Sequence, residues 1–209
     1  SFKVFLNVNS VHESPTMFSR RVFEILSSST ALLSTPSKGM ELMFDDCIEI
    51  VNDTEEAENK ISKLMFDSRY RSKIAHLGYR KVMNNHTYTD RMKYIFGEIG
   101  IEHKSDEAPL VSCITCSNRP NMFENIIKNF IQQLHPNKEL ILLMQASDSE
   151  FLEIKNKLKM RENVTLLRQS EEELLGSVFN RGVTASSGEY IAKFDDDDKY
   201  GPYYLSDGL

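Results

Sequence analysis

Short apolar segments alternate with segments of helical periodicity along almost the whole chain. In the first half, residues 4–8, 31–35 and 47–51 read as strands, and the stretches between and after them carry the spacing of amphipathic helices. From about residue 68 to residue 100 the pattern is helical only, with a break predicted at Asn84-Asn85. Strands separated by helices predict parallel βαβ units, whose ligands bind at the carboxyl ends of the strands. The predicted fold class is therefore α/β.

A polar segment that ends in Pro109 separates this first series from a second one. After it, strands are predicted at 110–115, 139–144, 164–167 and 190–194, with helices between them, the last from about Glu172. The domain prediction is a first Rossmann-like module over 1–103, a linker over 104–109 and a second module over 110–209.

Composition excludes several classes of protein. With 40% hydrophobic and 27% charged residues the chain is typical of a globular protein, and no apolar run approaches the roughly 20 residues of a membrane span. The start reads as a strand without a leader, as if cut from a longer chain. The net charge of −6 argues against nucleic-acid binding, which needs basic patches.

The three cysteines, Cys47, Cys113 and Cys116, do not form a disulfide framework. Cys113 and Cys116 have the spacing of a CxxC motif, but no second pair supplies the other ligands of a zinc site. Both are predicted to be ordinary thiols in a buried strand, and a reducing cytoplasm fits this cysteine usage.

Four adjacent aspartates, Asp195 to Asp198, directly follow the last predicted strand. Their carboxylates repel one another, so the run favours a site at which positive charge offsets them. Mg²⁺ or Mn²⁺ is the obvious candidate, because these hard cations prefer oxygen ligands and often bridge carboxylates to substrate phosphates.

Three other interpretations of the aspartate run stay open. It also resembles an engineered tag, although it follows a turn and a strand rather than a fusion scar. A calcium-binding loop is conceivable, but Tyr200 and Pro202 are poor residues at positions 5 and 7 of such a loop, and a strand precedes it where a helix is required. A solvated acidic turn is the third alternative.

Several spaced motifs in residues 110–205 resemble a family 2 glycosyltransferase of the GT-A fold. The opening of the module, from Val111 to Pro120, is similar to the first strand and turn of that family. The stretch from Gly176 to Gly182 resembles its G-x-x-x-N-x-G motif, and Asp195-Asp196-Asp197 falls where its DxD motif lies. The resemblance implies that the second module is the nucleotide-sugar-binding half of a GT-A domain, truncated at Leu209.

That resemblance also implies roles for individual residues. Asp197 is the expected direct metal ligand, and Asp195 is expected on the metal or on a ribose. The other residues expected at the nucleotide are Ser117, Asn118, Arg119, Asn180, Gly182, Lys193 and Asp196. Each of three residues also has an alternative role. Arg119 could be a surface residue at a helix start, and Asn180 could make a contact within a helix. Lys193 could neutralise its acidic neighbours.

Two features depart from the family pattern. The family usually has an aspartate just after its second strand, whereas residues 144–148 here read Met-Gln-Ala-Ser-Asp, so the base is open, with UDP as the default. The catalytic base of the family is expected beyond Leu209. The chain is therefore predicted to bind nucleotide but to turn over poorly or not at all.

Residues 8–100 are similar to the carboxyl-terminal portion of GT-B-type glycosyltransferases of the spore-protein-like group. The similarity lies in residues 19–26 and 33–36 and in His86-Thr87-Tyr88 before Arg91. It implies that Glu24 binds a ribose of a sugar nucleotide, with a polar position on an amphipathic helix as the alternative. His86 is expected to cap and pack a helix break.

Taken together, the two resemblances predict a metal-dependent, inverting glycosyltransferase or a fragment of one. The expected partners are a UDP-sugar and a glycan or cell-surface acceptor, as in polysaccharide synthesis, with the oligomeric state open. The alternatives are a non-catalytic binding or scaffolding module and a nucleotidyltransferase. The latter would normally carry a Gly-rich loop with a basic residue after the first strand, which Ser117-Asn118-Arg119-Pro120 does not provide.

Overall fold

A computed structural model describes residues 2–101 and 107–209. The chain forms two compact units, Ser1–Lys104 and Ser105–Leu209. The predicted linker over 104–109 falls partly outside the described residues. No helix in the described ranges combines the length and the hydropathy needed to cross a bilayer.

The first unit contains a three-stranded parallel sheet in the order β1-β2-β3, followed by a helical region. Buried apolar side chains of α1, α2 and β2 form one core cluster on this sheet, which includes the fully buried Phe44. The element bounds in chain order are β1 Val4–Asn7, α1 Arg21–Ser27, β2 Ala31–Ser34, α2 Lys38–Phe44, β3 Glu49–Ile50, α3 Thr54–Phe66, α4 Ser68–Asn85 and α5 Tyr88–Glu98.

The helix break expected at Asn84-Asn85 is confirmed, because α4 ends at Asn85 and α5 begins at Tyr88. A capping box forms there: the Thr87 side chain accepts from the backbone N–H of Asp90, and the Asp90 carboxylate accepts from that of Thr87. Helix α2 was not predicted, because it consists of only seven residues, from Lys38 to Phe44. So short a segment carries little periodicity.

The second unit is a four-stranded parallel sheet in the order β6-β5-β4-β7. Its central strands are almost wholly buried, as expected of a parallel sheet covered by helices on both faces. The bounds are β4 Val111–Ser117, a 3₁₀ helix Pro120–Met122, α6 Phe123–Ile131, β5 Lys138–Met144, α7 Asp148–Leu158, β6 Val164–Arg168, α8 Leu175–Ala185, β7 Tyr190–Lys193 and α9 Tyr204–Gly208.

The predicted α/β class with parallel βαβ units is confirmed in both units. The helix expected from about Glu172 begins three residues later, at Leu175, since Glu173 is held in a turn before the helix. This sheet brings the ends of β4, β5 and β7 to one edge, where the acidic run begins at Asp195, one residue beyond Phe194.

Gly188 makes the closest backbone approach at the opposite edge of the second sheet. Its N–H donates to Ser112 Oγ at 2.9 Å, and a Cβ there would lie 2.6 Å from that oxygen and 2.7 Å from the carbonyl oxygen of Leu110. Because backbone atoms cannot yield, we expect Gly188→Ala to destabilise the unit by about 1–3 kcal/mol. A urea titration in which hydrogen exchange of the β4 amides is monitored measures this loss of stability.

Gly176→Ala is the matched control, because nothing lies within 4 Å of a Cβ at that position. Alanine in a helix is expected to be neutral or slightly stabilising there. Equal stability of the Gly188→Ala and Gly176→Ala chains would contradict the steric argument.

Candidate functional site

The carboxyl edge of the second sheet borders a cleft of about 810 Å³. The loops after β4, β5, β6 and β7 all contribute to its walls, as expected for a parallel sheet. Eight of the nine residues that the sequence singled out in this unit line the cleft, namely Ser117, Asn118, Arg119, Asn180, Lys193, Asp195, Asp196 and Asp197.

A second pocket, of about 770 Å³, continues this cleft along the edge towards β6. The two pockets share several polar lining residues, which are Asn118, Gln145, Gln169, Glu171 and Glu173. Because polar side chains line both pockets, the combined space suits a polar ligand better than an apolar one.

Asp196 is the most buried of the four aspartates, at 6% exposure. Its carboxylate accepts from both Nε and Nη2 of Arg119, the first at 3.0 Å, and from the hydroxyl of Ser117. Burial alone would raise the pKa of Asp196, but the hydrogen bonds from Arg119 and Ser117 outweigh it and lower the pKa below its ordinary value. The carboxylate is therefore ionised and already fully engaged inside the protein.

Asp195 and Asp197 present carboxylates that are about half exposed in the cleft. Lys193 Nζ pairs with Asp195 Oδ1 at 2.8 Å, and Arg119 Nη2 reaches Asp197 Oδ2 at 3.1 Å. Arg119 and Lys193 thus offset part of the repulsion within the run. Both pairs are solvent-exposed single contacts, so they are weak and readily exchanged for another cation.

Asn180 and Gly182 lie on the same helix but in different surroundings. Asn180 is exposed and lines the cleft. Gly182 faces the sheet, where a Cβ would come within 2.7 Å of Ile114 and 2.9 Å of Leu143. The close approach that Gly182 permits in this structure is that of α8 to the sheet, and its role at a nucleotide stays a prediction.

Two family comparisons cover almost the whole chain. Residues 112–209 match the family described as Glycosyl transferase family 2. The second unit is therefore similar to glycosyltransferase family 2, and we call it the family 2 domain. Residues 1–97 match the family described as Glycosyl transferase-like, so the first unit is glycosyltransferase-like. The sequence-based recognition of both modules is confirmed.

Several solved structures are similar to part of this chain. Residues 1–349 of S. aureus TarS are 19% identical over 47% of this chain and 30% of that chain, with a TM-score of 0.42. The same part of TarS in complex with UDP-GlcNAc is 19% identical over 47% of this chain and 29% of that chain, with a TM-score of 0.40. The mannosyltransferase PcManGT from Pyrobaculum calidifontis, in complex with GDP-Man and Mn²⁺, is 17% identical over 53% of this chain and 35% of that chain. Its TM-score is 0.39.

This chain spans about a third of the length of those solved structures. A search of the curated proteins gives no match.

The donor set of the family 2 domain fits a divalent cation that a ligand helps to hold. Within the described ranges, no group of three or more His, Cys, Asp or Glu side chains is arranged to hold a metal by itself. Asp195 and Asp197 nevertheless offer exposed carboxylate oxygens on the cleft. Mg²⁺ and Mn²⁺ are commonly bound by one or two carboxylates together with substrate phosphates and water.

The family 2 domain contains cleft residues to which the sequence analysis assigned no role. Gln145 and Gln169 follow β5 and β6 and line both pockets. The side-chain oxygen of Gln169 is buried without a hydrogen-bond partner in the described part of the chain. The only sequence signal for either residue is its position. Gln145 directly follows the predicted strand 139–144, and Gln169 is the second residue after the predicted strand 164–167.

Burial lowers the reactivity of the thiols of the family 2 domain, because it disfavours the thiolate form. Burial raises the pKa of Cys113 to about 12 and that of Cys116, which lines the cleft, to about 11. Since the thiolate is the reactive form, we expect iodoacetamide at pH 8 to label Cys116 slowly and Cys113 hardly at all, and labelling to accelerate as the pH rises. Mass spectrometry of the folded and urea-unfolded chain measures this, and equal rates in the two states would contradict it.

Glu24 lies in the first unit, on α1, where it pairs with Arg20 at 3.0 Å. It lines a separate pocket of about 420 Å³ together with Phe23, His86 and Arg91. The His86 ring packs edge-on against Phe23 and Phe44. The pKa of His86 is lowered, mainly by burial and to a smaller extent by the positive charge of Arg91. His86 thus packs the helix break, and the ribose contact of Glu24 stays a prediction.

Proposed function

We propose that this chain is the nucleotide-binding part of a glycosyltransferase that transfers a sugar from a nucleotide-diphosphate sugar to a hydroxyl acceptor with the help of a divalent cation. The observation that carries this is the pair of exposed carboxylates, Asp195 and Asp197, on the polar cleft of a family 2 domain. The nucleotide is UDP by default, and the acceptor is a glycan or cell-surface hydroxyl.

In the proposed complex, Asp197 binds the cation and Asp195 binds the cation or a ribose hydroxyl. A bound Mn²⁺ or Mg²⁺ would neutralise charge on the leaving diphosphate. Lys193, which the structure places beside Asp195, is 60% exposed at its side chain and therefore free to turn towards a phosphate oxygen. Ser117, Asn118 and Asn180 provide polar groups along the walls of the cleft.

Asp196 receives a different role from the one that its position in the run implies. Because its carboxylate is buried against Arg119 and Ser117, we assign it to holding Arg119 in place rather than to touching the nucleotide. Arg119 then presents its remaining N–H groups to the cleft, where a diphosphate carries negative charge.

The proposed reaction is inverting. The bond between the anomeric carbon of the sugar and the diphosphate oxygen breaks, and the acceptor oxygen forms a new bond to that carbon from the opposite face. The proton of the acceptor hydroxyl passes to a carboxylate base. The identity of that base and the predicted cytoplasmic location stay predictions.

Calorimetric titration of UDP into the chain, with and without Mn²⁺, tests the proposal. We expect binding that requires the metal, with GDP as the comparison ligand that reports on base preference. No UDP or GDP binding under either condition would overturn the proposal and favour a scaffolding module. Binding that is indifferent to Mn²⁺ would overturn the role of the cation while leaving the cleft as a nucleotide site.

A further inference from the structure

The helix α6 and the residues just beyond it bury amide side chains next to the apolar core. Asn129 lies on the same helix as the buried core residues Ile126 and Phe130 and is only 3% exposed, and Gln133, just beyond the helix, is 2% exposed. A buried amide is costly unless its donor and acceptor are both hydrogen-bonded. These amides therefore have a structural reason to be there.

The amides donate to the backbone of the loop that follows β7. Asn125, Asn129, Gln132 and Gln133, which we call the amide row, follow one another at nearly helical spacing. We call residues 195–201 the acidic loop. The donations, in order along the row, are Asn125 Nδ2 to Asp196 O at 2.7 Å and to Asp198 O at 3.1 Å, Asn129 Nδ2 to Asp198 O at 2.8 Å, Gln132 Nε2 to Tyr200 O, and Gln133 Nε2 to Gly201 O at 3.0 Å.

Two members of the row also accept hydrogen bonds from the chain that they hold. Asn129 Oδ1 accepts from the backbone N–H of Tyr200 at 3.2 Å, and Gln133 Oε1 accepts from that of Leu205 at 3.3 Å. Because both ends of each amide are used, the orientation of the side chain is determined and the register of the loop against α6 is set.

The loop is held on its other side by an aromatic contact. The Tyr200 ring stacks on Phe194 with ring centroids 4.2 Å apart, and its hydroxyl accepts from the backbone N–H of Asp195 at 2.7 Å. The backbone on both sides of Asp197 is therefore hydrogen-bonded through the carbonyls of Asp196 and Asp198.

Four adjacent carboxylates repel one another, so a loop that carries them tends to spread unless its backbone is held. A neutral amide holds a carbonyl without bringing a charge that competes for the carboxylates. The carboxylates of Asp195 and Asp197 thus remain exposed on the cleft while the backbone beneath them is held.

We infer that the amide row consists of positioning residues, which preset the Asp195 and Asp197 carboxylates for a nucleotide-bound divalent cation. This inference rests on the proposed function, since it concerns how the same site is built. Its members touch neither the ligand nor the reacting atoms and act through the acidic loop.

The test compares Asn125→Leu and Asn129→Leu with Ile126→Val, which alters the same helix on its core side. Asn125 is half-buried, whereas Asn129 is almost fully buried. The Asn125→Leu chain is therefore expected to stay folded even if Asn129→Leu lowers the free energy of unfolding too far for the domain to fold. Two quantities are measured at 10 °C. One is the Mn²⁺-dependent affinity for UDP, and the other is the hydrogen exchange of amides 196–200 in the absence of any ligand.

We expect both amide variants to lose about tenfold in Mn²⁺-dependent affinity and to exchange these loop amides about tenfold faster, while β4 amides are unchanged. Ile126→Val is expected to stay close to the parent chain in both. Unchanged affinity despite faster exchange would overturn the positioning role, and unchanged exchange would overturn the hold on the loop.

Failure of the proposed function is distinguishable from failure of this inference. If the parent chain binds no UDP with Mn²⁺, the proposed function falls, and the presetting role falls with it. The exchange rates then still decide whether the amide row holds the acidic loop, because they are measured without nucleotide or metal.

Discussion

Asp197→Ala is expected to lower the Mn²⁺-dependent affinity of the chain for UDP by about a hundredfold or more. In the proposed complex its carboxylate is a direct ligand of the cation, and an open site with so few protein ligands cannot replace one of them. Asp197 is about half exposed, and within residues 2–101 and 107–209 its one ion pair is the contact of 3.1 Å with Arg119. Its loss should therefore leave the folded structure intact.

The matched control is Asp198→Ala, which removes the same charge one residue away. Asp198 is exposed, and its backbone carbonyl rather than its carboxylate is held by Asn125 and Asn129. We expect less than about a tenfold loss from it, through the long-range effect of one charge in water. Calorimetry of both variants with and without Mn²⁺ measures this, and equal losses would show that only the net charge of the run matters.

Phe194→Ala is expected to destabilise the family 2 domain by about 3–5 kcal/mol. Phe194 is 2% exposed in the core cluster of this unit, where it stacks on Tyr200 and meets the edge of Tyr204. Removing the ring leaves a cavity under the start of the acidic loop. It also removes the surface on which Tyr200 rests while its hydroxyl holds the backbone of Asp195.

Leu174→Ala is the control for this variant, since Leu174 lies in the same unit and is 78% exposed. Its expected cost is within about 0.5 kcal/mol. Because a chain of two units need not unfold in one step, the measurement follows urea-dependent hydrogen exchange of β4 and β5 separately from the first unit. A cost below about 1 kcal/mol for Phe194→Ala would contradict the packing argument.

Much of the second unit was predictable because its signals are local. Strand β5 contains the continuous apolar run from Leu140 to Met144, and the helix α6 has a strong apolar periodicity, so the existence of both follows from the order of residues. Parallel topology then requires the carboxyl ends of the strands to meet at one edge, so the sequence alone predicts that Ser117, Arg119 and Asp195 lie close together.

The partners of the charged and polar side chains were not predictable in the same way. Asp196 and Arg119 are separated by 77 positions, and Asn129 and Asp198 by 69. No local pattern distinguishes Asp196 from the aspartates on either side of it. Its burial against Arg119, and the exposure of Asp195 and Asp197, depend on how β7 and the loop after it pack against β4 and α6.

The sequence by itself thus determined the α/β class, the two glycosyltransferase-like modules and the acidic run at the carboxyl end of a strand, because apolar periodicity and short motifs are written in consecutive residues. Only the tertiary structure decided which aspartates face the cleft, that Gly182 serves the packing of α8, and that a row of amides on α6 holds the acidic loop. Those features depend on contacts between residues far apart in the chain, which form only when the sheet and its helices pack together.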